Sequence, residues 1–507
     1  MKLSRQDFLK ISSVLSLSSI SARLARGHRG FSEVQRPNVL LLLFDTLSAR
    51  HLSLHGYRRE TTPHMKNFAE RATVFQRHIS PGSFTTIATS SILTGVYPWS
   101  HRAFQFYGVP LPVYSERNIF SLLAADYHDI RAFSQNLLVN QIIQSMELGS
   151  QIQDVRQLGQ AALYNSNDWT TRLFHRDYII EQHVERKYTE LKLGYPISPL
   201  LAELVNAYRE LRLKLLASKH RQQYPNGLPY HPPFAFSLAD TMDWIAGQIN
   251  TMTQPFFGYY HLIPPHEPYV PSVDFEGIFD DSYLGVPKPE HHFSDGWSQE
   301  ELGFLRRKYD QYIANVDAEF GRLVQGLEQQ GVLDNTILIL TSDHGELFER
   351  GIWAHNTPTL YQPVIQVPLM IHTPGQKENV QVKNLTSNVD LLPTILHLCG
   401  YQIPSWIEGQ VLPPWGILDE SRPVFAMDAK TNPVHQPLHK ATFTVLHGNN
   451  KMVRYMGYEG FKDRFELYNL HNDPEELHDL SGQSGAGDDL FALLHEKLDQ
   501  INQPYTP

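Results

Sequence analysis

Four short stretches rich in apolar residues recur along the chain, at Val39–Phe44, Phe256–Leu262, Thr336–Ser342 and Val367–Thr373. They lack the apolar-polar alternation of a half-exposed strand, so each predicts a strand buried on both faces, as in a parallel sheet. Segments with an apolar residue at every third or fourth position lie between them and predict helices. This alternation predicts a doubly wound, mostly parallel α/β sheet flanked by helices.

Two helices are predicted in detail. Within 62–75, one helical face carries Met65, Phe68, Ala69 and Ala72. Within 309–331, one face carries six apolar side chains, and Gly331 ends the pattern as a helix stop. These six are Tyr312, Ile313, Val316, Phe320, Leu323 and Leu327.

Two regions depart from the alternation. Residues 151–250 contain a long amphipathic pattern that starts with Ser198 as N-cap and Pro199 at the first helical position. We interpret them as a helical insertion that covers the site or contacts another subunit. Beyond Arg422, two strand-like runs around a "GNN" turn, a third strand and a terminal helix predict a small α+β subdomain. The predicted domains are therefore 36–420, including the 151–250 insertion, and 421–507.

The N-terminal segment 1–30 has the layout of a signal peptide: a basic start, a short apolar stretch and a small-residue exit. The stretch "SRQDFLK" resembles a twin-arginine export motif, with Gln6 in place of the second arginine. We predict an exported protein, periplasmic or extracellular. The alternative is an amphipathic helix that stays attached to a cytoplasmic protein. No other segment approaches the length of a membrane span.

Composition narrows the function classes. The 507 residues carry a net charge of -10, so the molecule as a whole has no basic footprint for nucleic acid. One cysteine, Cys399, excludes an intramolecular disulfide. The 25 histidines are numerous for this length and favour metal or phosphate chemistry.

Chemistry-bearing residues follow two of the predicted strands. Asp45 comes directly after the first strand, and Asp343 and His344 follow the third within "SDHGE". Ligands of open α/β sheets bind beyond the carboxyl ends of the strands, where two carboxylates and an imidazole can hold one divalent cation. Taken singly, each residue is also explained as a loop cap or a turn.

The hydroxyl-rich stretch "GSFTTIATSSILTG" predicts a helix that begins near Thr85 or Thr86 and ends at Gly95. A hydroxyl at a helix N-terminus lies in positive potential, which favours an alkoxide and an anionic substrate. The alternative is an ordinary N-cap threonine.

Six stretches, in this order, resemble the sulfatase family of the alkaline-phosphatase superfamily and span most of Arg36–Leu480 outside the insertion. They are "RPNVLLLLFDT", "TSSILTGVYPWSH", "HLIPPHEPYVP", "ANVDAEFGRLVQGLEQQGVLDNTILILTSDHGELFERGIWAH", "VDLLPTILHLCG" and "ELYNLHNDPEE". The resemblance implies an alkaline-phosphatase-like fold and one divalent metal ion, either calcium or zinc or manganese.

The resemblance also implies residue roles. The implied metal ligands are Asp45, Thr85, Asp343 and His344, and the nucleophile position falls on Thr85. His266 and His355 match histidines that hold the anionic oxygens of the ester or protonate the leaving group. His261, just before the "PPHEPY" loop, supports the site or belongs to the core.

Three departures separate this chain from sulfatases whose cysteine or serine becomes formylglycine. The nucleophile window has Thr85, with Ile87 and Thr89 where the family has proline and arginine. The second of the usual paired aspartates is Thr46, and the usual lysine downstream of the nucleophile helix has no evident counterpart. A formylglycine hydrate is a geminal diol, and its second hydroxyl allows it to expel the sulfate. A threonine sulfate has no second hydroxyl on that carbon, whereas a threonine phosphate can form and be hydrolysed by in-line displacement at phosphorus.

The sequence therefore predicts a metal-dependent hydrolase that cleaves a sulfate or phosphate-type ester through Thr85. The alternatives are a phosphotransferase or phosphodiesterase acting on a headgroup or phosphonate ester, and a sulfatase-like binding protein that has lost catalysis. The predicted substrate is a small-molecule, glycan or lipid-headgroup ester. A homo-oligomer is possible, and neither a nucleic acid partner nor an integral membrane span is expected.

Overall fold

The computed structural model describes residues 36–146, 152–153, 164–165, 198–231, 234–417, 419, 421–461, 463–483 and 487–506. The chain divides into two units, Met1–Arg36 and Pro37–Pro507, and every element below belongs to the second. The predicted signal-like segment 1–30 lies outside the described residues, as does much of the predicted insertion.

The strands are β1 (Asn38–Phe44), β2 (Thr73–Ile79), β3 (Asp129–Ser134), β4 (Ile152–Gln153), β5 (Tyr164–Asn165), β6 (Tyr230–His231), β7 (Phe234–Ala235), β8 (Phe256–Leu262), β9 (Thr336–Thr341), β10 (Phe348–Glu349), β11 (Ile352–Trp353), β12 (Leu369–His372), β13 (Val380–Ser387), β14 (Val424–Asp428), β15 (Ala441–His447), β16 (Asn450–Met456) and β17 (Arg464–Asn469). The α-helices are α1 (Pro63–Ala69), α2 (Thr85–Thr94), α3 (Pro98–His101), α4 (Ile119–Leu123), α5 (Leu137–Ser145), α6 (Ser198–Lys219), α7 (Leu238–Asn250), α8 (Gln299–Gln329), α9 (Gln362–Ile365), α10 (Leu391–Leu398) and α11 (Asp488–Asn502).

The central sheet has the strand order β13-β2-β12-β9-β1-β8-β3-β4. Within it, β12 is antiparallel to both of its neighbours, and all other neighbouring strands are parallel. The predicted mostly parallel α/β sheet is confirmed, and all four predicted apolar stretches contribute strands to it.

The centre of this sheet explains the unbroken apolar runs. All seven residues of β1 and all seven of β8 are buried. Helix α8 packs against α1 and α7, and the three helices add side chains to the same core, among them Met65, Met242 and Phe320. Because helices cover the sheet, side chains on both faces of the middle strands leave water.

One predicted helix is shorter than expected. The helical face drawn through Met65, Phe68, Ala69 and Ala72 ends at Ala69 as α1, and the chain then turns into strand β2 at Thr73. A short apolar pattern fits either periodicity, and here pairing with β12 and β13 decides for the strand.

The long helix α8 has clear signals at both ends. Ser298 caps it in a capping box with Glu301, and Gly331, with φ of 69°, lies just beyond its last turn. The predicted helix stop at Gly331 is confirmed. Helix α6, Ser198–Lys219, forms where the Ser-Pro start predicted a helix.

The C-terminal region forms a second sheet of four antiparallel strands, β14-β15-β16-β17, with α11 packed on β15 and β16. The predicted hairpin around "GNN" is β15–β16, and the predicted terminal helix is α11. The predicted small α+β subdomain is therefore present. Its exact boundary with the preceding domain, and that of the 151–250 insertion, stay predictions.

Among the helices of the described residues, none combines the length and the apolar composition needed to cross a bilayer.

Candidate active site and metal centre

The adjacency of β9, β1 and β8 brings four side chains to one edge of the sheet. Asp45 follows β1, Asp343 and His344 follow β9, and His261 is the next-to-last residue of β8. The three strands run parallel, so their carboxyl ends meet where ligands of such sheets bind. We call Asp45, His261, Asp343 and His344 the metal cluster.

The side chains of the metal cluster are fully buried and lie within direct reach of one another. Nε2 of His344 is 3.5 Å from Oδ1 of Asp45 and 3.5 Å from Oδ2 of Asp343. Nε2 of His261 is 3.5 Å from Oδ2 of Asp45 and 3.7 Å from Oδ2 of Asp343. Two imidazole nitrogens thus alternate with carboxylate oxygens around a common centre.

Several of these atoms lack the hydrogen bonds that buried polar atoms normally make. Within the described residues, Oδ1 of Asp45, Nε2 of His261 and Oδ2 of Asp343 are buried without a hydrogen-bond partner. Ligand atoms of the same three residues lie within 4.8 Å of one another. Buried, unpartnered carboxylates and an imidazole are the donor set that a divalent cation needs, so the residues fit the metal that the sequence implies.

Thr85 is placed beside this cluster by the helix that it begins. It is the first residue of α2, whose N-cap residue Phe84 supplies no side-chain hydrogen bond to the helix. Its Oγ1 is 3.3 Å from Nε2 of His344, and its side chain is almost completely buried. The predicted helix start near Thr85 and the end at Gly95, with φ of 68°, are both confirmed. Oγ1 therefore lies at the positive end of a helix and next to the metal cluster.

Asn136, which sequence reasoning missed, links the nucleophile candidate to the cluster. Its Nδ2 donates to Oδ2 of Asp45 at 2.7 Å and to Oγ1 of Thr85 at 3.3 Å. Its Oδ1 accepts from the backbone N–H of Leu138 and so caps α5. Asn136 lies just beyond the end of β3, and the strand-end argument that selected Asp45 could also have selected it.

The two predicted histidines His266 and His355 lie together at the same edge. Their ring centroids are 5.0 Å apart, and His355 lies 4.5 Å from the ring of His344. Nδ1 of His266 donates to the backbone carbonyl of Glu267 at 2.8 Å, which fixes the orientation of the ring. Nδ1 of His355 is 3.0 Å from Oε1 of Glu346.

Glu346 is a second residue that sequence reasoning did not assign, although it belongs to the "SDHGE" motif. Its Oε2 accepts from the Tyr269 hydroxyl at 3.1 Å, and Nε1 of Trp353 donates to the same hydroxyl at 3.1 Å. This chain of hydrogen bonds fixes the orientation of the His355 ring.

Burial and charge set the protonation of the site. Burial acts to raise the pKa of Asp45, but the neighbouring histidines, His261 first, outweigh it and lower that pKa. Burial acts to lower the pKa of His266, but the charge of Asp45 and then that of Glu346 outweigh it and raise that pKa. For His355, burial and the nearby His266 lower the pKa well below its usual value.

The pKa values of Asp343 and Glu346 shift in the opposite direction from that of Asp45. Burial, and then the charge of Asp45, raise the pKa of Asp343. Burial raises the pKa of Glu346 to about 8. A bound cation would relieve the repulsion between Asp45 and Asp343.

The positions that depart from the formylglycine pattern are also buried. Ile87 packs against Gly82, and Thr89 lies next to the hydroxyl of Tyr259. Thr46 takes the left-handed φ of 59°, unusual for a β-branched residue, and its carbonyl accepts from the Tyr309 hydroxyl.

A lysine of the C-terminal region, Lys430, lies near the site. Lys430 follows β14, and its Nζ is 4.6 Å from the ring centroid of Phe84, next to Thr85. Its charge contributes to the low pKa of His355, and it pairs with Asp428 at 3.0 Å. More than 340 positions separate Lys430 from Thr85, so no local pattern could have indicated it.

This fold is that of the sulfatases. The family model described as Sulfatase matches residues 37–401, and the chain belongs to that family. A second model, described as N-sulphoglucosamine sulphohydrolase, C-terminal, matches residues 351–504.

Relatives in other organisms carry sulfatase names. Arylsulfatase K from Bos taurus is 27% identical over 300 residues, which are 51% of this chain and 53% of the relative. Endo-4-O-sulfatase from Bacteroides thetaiotaomicron is 31% identical over 180 residues, 33% of this chain and 34% of the relative. This chain thus spans about half or less of the length of these relatives.

Solved structures support the fold over nearly the whole chain. Phosphonate monoester hydrolase SpPMH from Silicibacter pomeroyi matches with a TM-score of 0.64 and 20% identity, covering 92% of this chain and 96% of that one. The structure of BT4656 in complex with its substrate D-glucosamine-2-N,6-O-disulfate matches with a TM-score of 0.63 and 17% identity, covering 93% and 98%. At these identities the likeness concerns the fold alone.

Proposed function

We propose that this chain is a metal-dependent hydrolase that cleaves a sulfate or phosphate-type ester with Thr85 as its nucleophile. One observation carries the proposal: Oγ1 of Thr85 lies at the start of α2 and 3.3 Å from Nε2 of His344, inside the reach of the metal cluster. An anionic ester that approaches this hydroxyl meets a helix N-terminus on one side and two histidines on the other.

The residues Asp45, Thr85, Asp343 and His344 would hold the cation. A divalent ion there supplies the positive charge that favours the alkoxide of Thr85 and neutralises an oxygen of the ester. Asn136 supports this arrangement, because its side-chain NH₂ group donates hydrogen bonds to both Asp45 and Thr85. The two bonds orient Oγ1 of Thr85 relative to Asp45.

The proposed reaction has two displacements. First, Thr85 releases its hydroxyl proton to solvent, and an electron pair of Oγ1 forms a bond to sulfur or phosphorus. The bond from that atom to the leaving oxygen breaks, and this oxygen takes a proton from His266, whose pKa is raised, while His355 lies beside the His266 ring. Water then attacks the same atom, the histidine takes a proton from the water, and the Thr85 oxygen leaves and is reprotonated from solvent.

The ester class is the open part of the proposal. A plain threonine favours displacement at phosphorus, because no geminal diol is present to expel a sulfate. The names of Endo-4-O-sulfatase and of the disulfated glucosamine complex instead point to a sulfated sugar. We therefore propose a small-molecule or glycan ester as substrate. Transfer to an alcohol, as in a headgroup transferase, is the second outcome that the assay distinguishes.

The test is turnover of the purified full chain on aryl sulfates, phosphate mono- and diesters and phosphonate esters, each with Ca²⁺, Zn²⁺, Mn²⁺ or Mg²⁺. We expect Thr85→Ala to lose roughly 10⁴-fold or more in kcat/KM on the best substrate. The matched control is Thr86→Ala, because the neighbouring Thr86 hydroxyl donates to the Phe106 carbonyl rather than to the site.

Two results would contradict the proposal. Undiminished turnover by Thr85→Ala would remove Thr85 as the nucleophile. A protein that binds metal but turns over none of the esters would support the non-catalytic binding protein instead.

Location and assembly stay predictions. We infer export from the sequence of 1–30, which N-terminal sequencing of protein recovered outside the cytoplasm would test. Light scattering of the purified chain would test the possible homo-oligomer.

A further inference from the structure

The imidazole of His261 occupies a position that the proposed reaction does not explain. In the register of β8 against β1 it lies opposite Leu43, two residues before Asp45. Its side chain is fully buried, with Nε2 at 3.5 Å from Asp45 and 3.7 Å from Asp343. Its contacts are the two carboxylates, and it makes no hydrogen bond of ordinary geometry to any other described residue.

The other ring nitrogen of His261 is held in place. Nδ1 is 3.1 Å from the hydroxyl of Tyr259, on the same strand. When Nδ1–H donates to this oxygen, the lone pair is on Nε2 and faces the two carboxylates. A partner that fixes the tautomer and the ring orientation is the usual companion of a metal-bound histidine.

We propose that His261 is a direct ligand of the divalent cation, together with Asp45, Asp343 and His344, and that the resulting site prefers a transition metal ion such as Zn²⁺ to Ca²⁺. The proposal rests on the proposed function only in requiring that a cation occupies the metal cluster. It does not require that Thr85 is the nucleophile.

The preference follows from the donor atoms. Ca²⁺ is bound by six to eight oxygen ligands. The metal cluster instead offers two imidazole nitrogens and two carboxylates, and imidazole suits Zn²⁺ and other first-row transition ions. The residue after Asp45 is Thr46, which adds no third carboxylate at this point of the chain.

Thr46 is also the competing explanation, because its Oγ1 is buried without a hydrogen-bond partner in the described part of the chain. A neutral hydroxyl is a weaker ligand for a divalent ion than an imidazole. Thr46→Val removes the hydroxyl while keeping the branched shape, and therefore serves as the matched control for His261.

The first experiment needs no variant. X-ray absorption of the Zn²⁺-loaded full chain counts the imidazoles bound to the metal, and we expect two. A single imidazole would overturn the proposal. So would preferential binding of Ca²⁺ when the two ions compete for the metal-free protein at equal concentration.

The second experiment measures Zn²⁺ affinity by competition with a chelating dye. We expect His261→Gln to weaken Zn²⁺ binding at least about tenfold and Thr46→Val to change it much less. The opposite order would assign the ligand to Thr46. Retained turnover in Thr85→Ala together with a two-imidazole spectrum would sink the proposed nucleophile and leave this inference standing.

Discussion

Two clusters of ionisable side chains, each built around a buried carboxylate, differ in how their polar atoms are satisfied. In the Asp310 cluster, made of His51, Tyr57, Arg59 and Asp310, both oxygens of the carboxylate are hydrogen-bonded. Oδ1 meets Nδ1 of His51 at 2.7 Å, and Oδ2 accepts from Tyr57 and Arg59, each at 2.7 Å. In the metal cluster, three polar atoms have no such partner within the described residues.

The charges of the two clusters differ in the same sense. Arg59 neutralises Asp310 and also pairs with Asp281. Among the described residues, the ionisable partners of Asp45 and Asp343 are the histidines His261 and His344. A closed network of opposite charges leaves no buried charge uncompensated, whereas adjacent carboxylates with unused lone pairs are costly until a cation arrives. The comparison teaches that missing partners, rather than burial or acidity, mark the functional cluster.

The largest effect that would sharpen this comparison comes from neutralising one carboxylate in each cluster. We expect Asp310→Asn to lower the free energy of unfolding by about 3–5 kcal/mol, because Arg59 loses a buried partner. Asp343→Asn should change the free energy of unfolding of the metal-free protein by less than about 1 kcal/mol, because Asn keeps the Oδ1 acceptor and removes a repelling charge. Urea unfolding in a chelator measures both.

The variant that loses more stability should keep the metal, and the variant that loses less stability should lose the metal. Asp310→Asn should retain the metal in elemental analysis, and Asp343→Asn should lose it. Equal destabilisation by both substitutions would mean that the metal cluster is a structural network like its neighbour.

Metal removal should produce the next largest effect. A cation present at about a hundred times its Kd stabilises the folded state by about 2.7 kcal/mol. A chelator should therefore lower the thermal midpoint of the native protein and leave that of Asp343→Asn unchanged. An equal shift in both proteins would place the stabilising ion outside the metal cluster.

The smallest expected effect is on the pH dependence of stability, and it comes from His101, whose two ring nitrogens both have hydrogen-bond partners. His101 is buried, its Nδ1 accepts from the backbone of Ala103, and its Nε2 is 2.9 Å from the Ser91 hydroxyl. Burial lowers its pKa to about 3, so the folded chain leaves it neutral where the unfolded chain takes up a proton. Its contribution to stability is complete above the unfolded pKa of about 6.5 and falls by about 1.4 kcal/mol per pH unit below it.

The measurement is urea unfolding of the native protein and of His101→Gln between pH 7 and pH 5. The variant should be less stable at pH 7 and lose less stability on acidification. Parallel pH profiles for the two proteins would show that His101 is not held neutral in the fold.

Several parts of this picture were predictable because they are local. A buried strand followed by a polar residue is visible in the chain at Asp45 and again at Asp343. The helix stop at Gly95 indicates that α2 begins near Thr85. The helix predicted within 62–75 was too long, because its prediction also used local periodicity alone. Periodicity over a dozen residues carries no information about strand pairing. Here β12 and β13 pair with Thr73–Ile79 from about 300 positions away in the chain.

The sequence by itself determined four strands of the central sheet and their alternation with helices. Through the resemblance it also selected one group of site residues, namely Asp45, Thr85, His266, Asp343, His344 and His355. Only the tertiary structure decided that Asn136 bridges Asp45 and Thr85, that Lys430 approaches Phe84, and that His261 faces both carboxylates. The physical reason is strand register. A shift of β8 by one residue against β1 would turn His261 to the other face of the sheet, and nothing near His261 in the chain encodes that register.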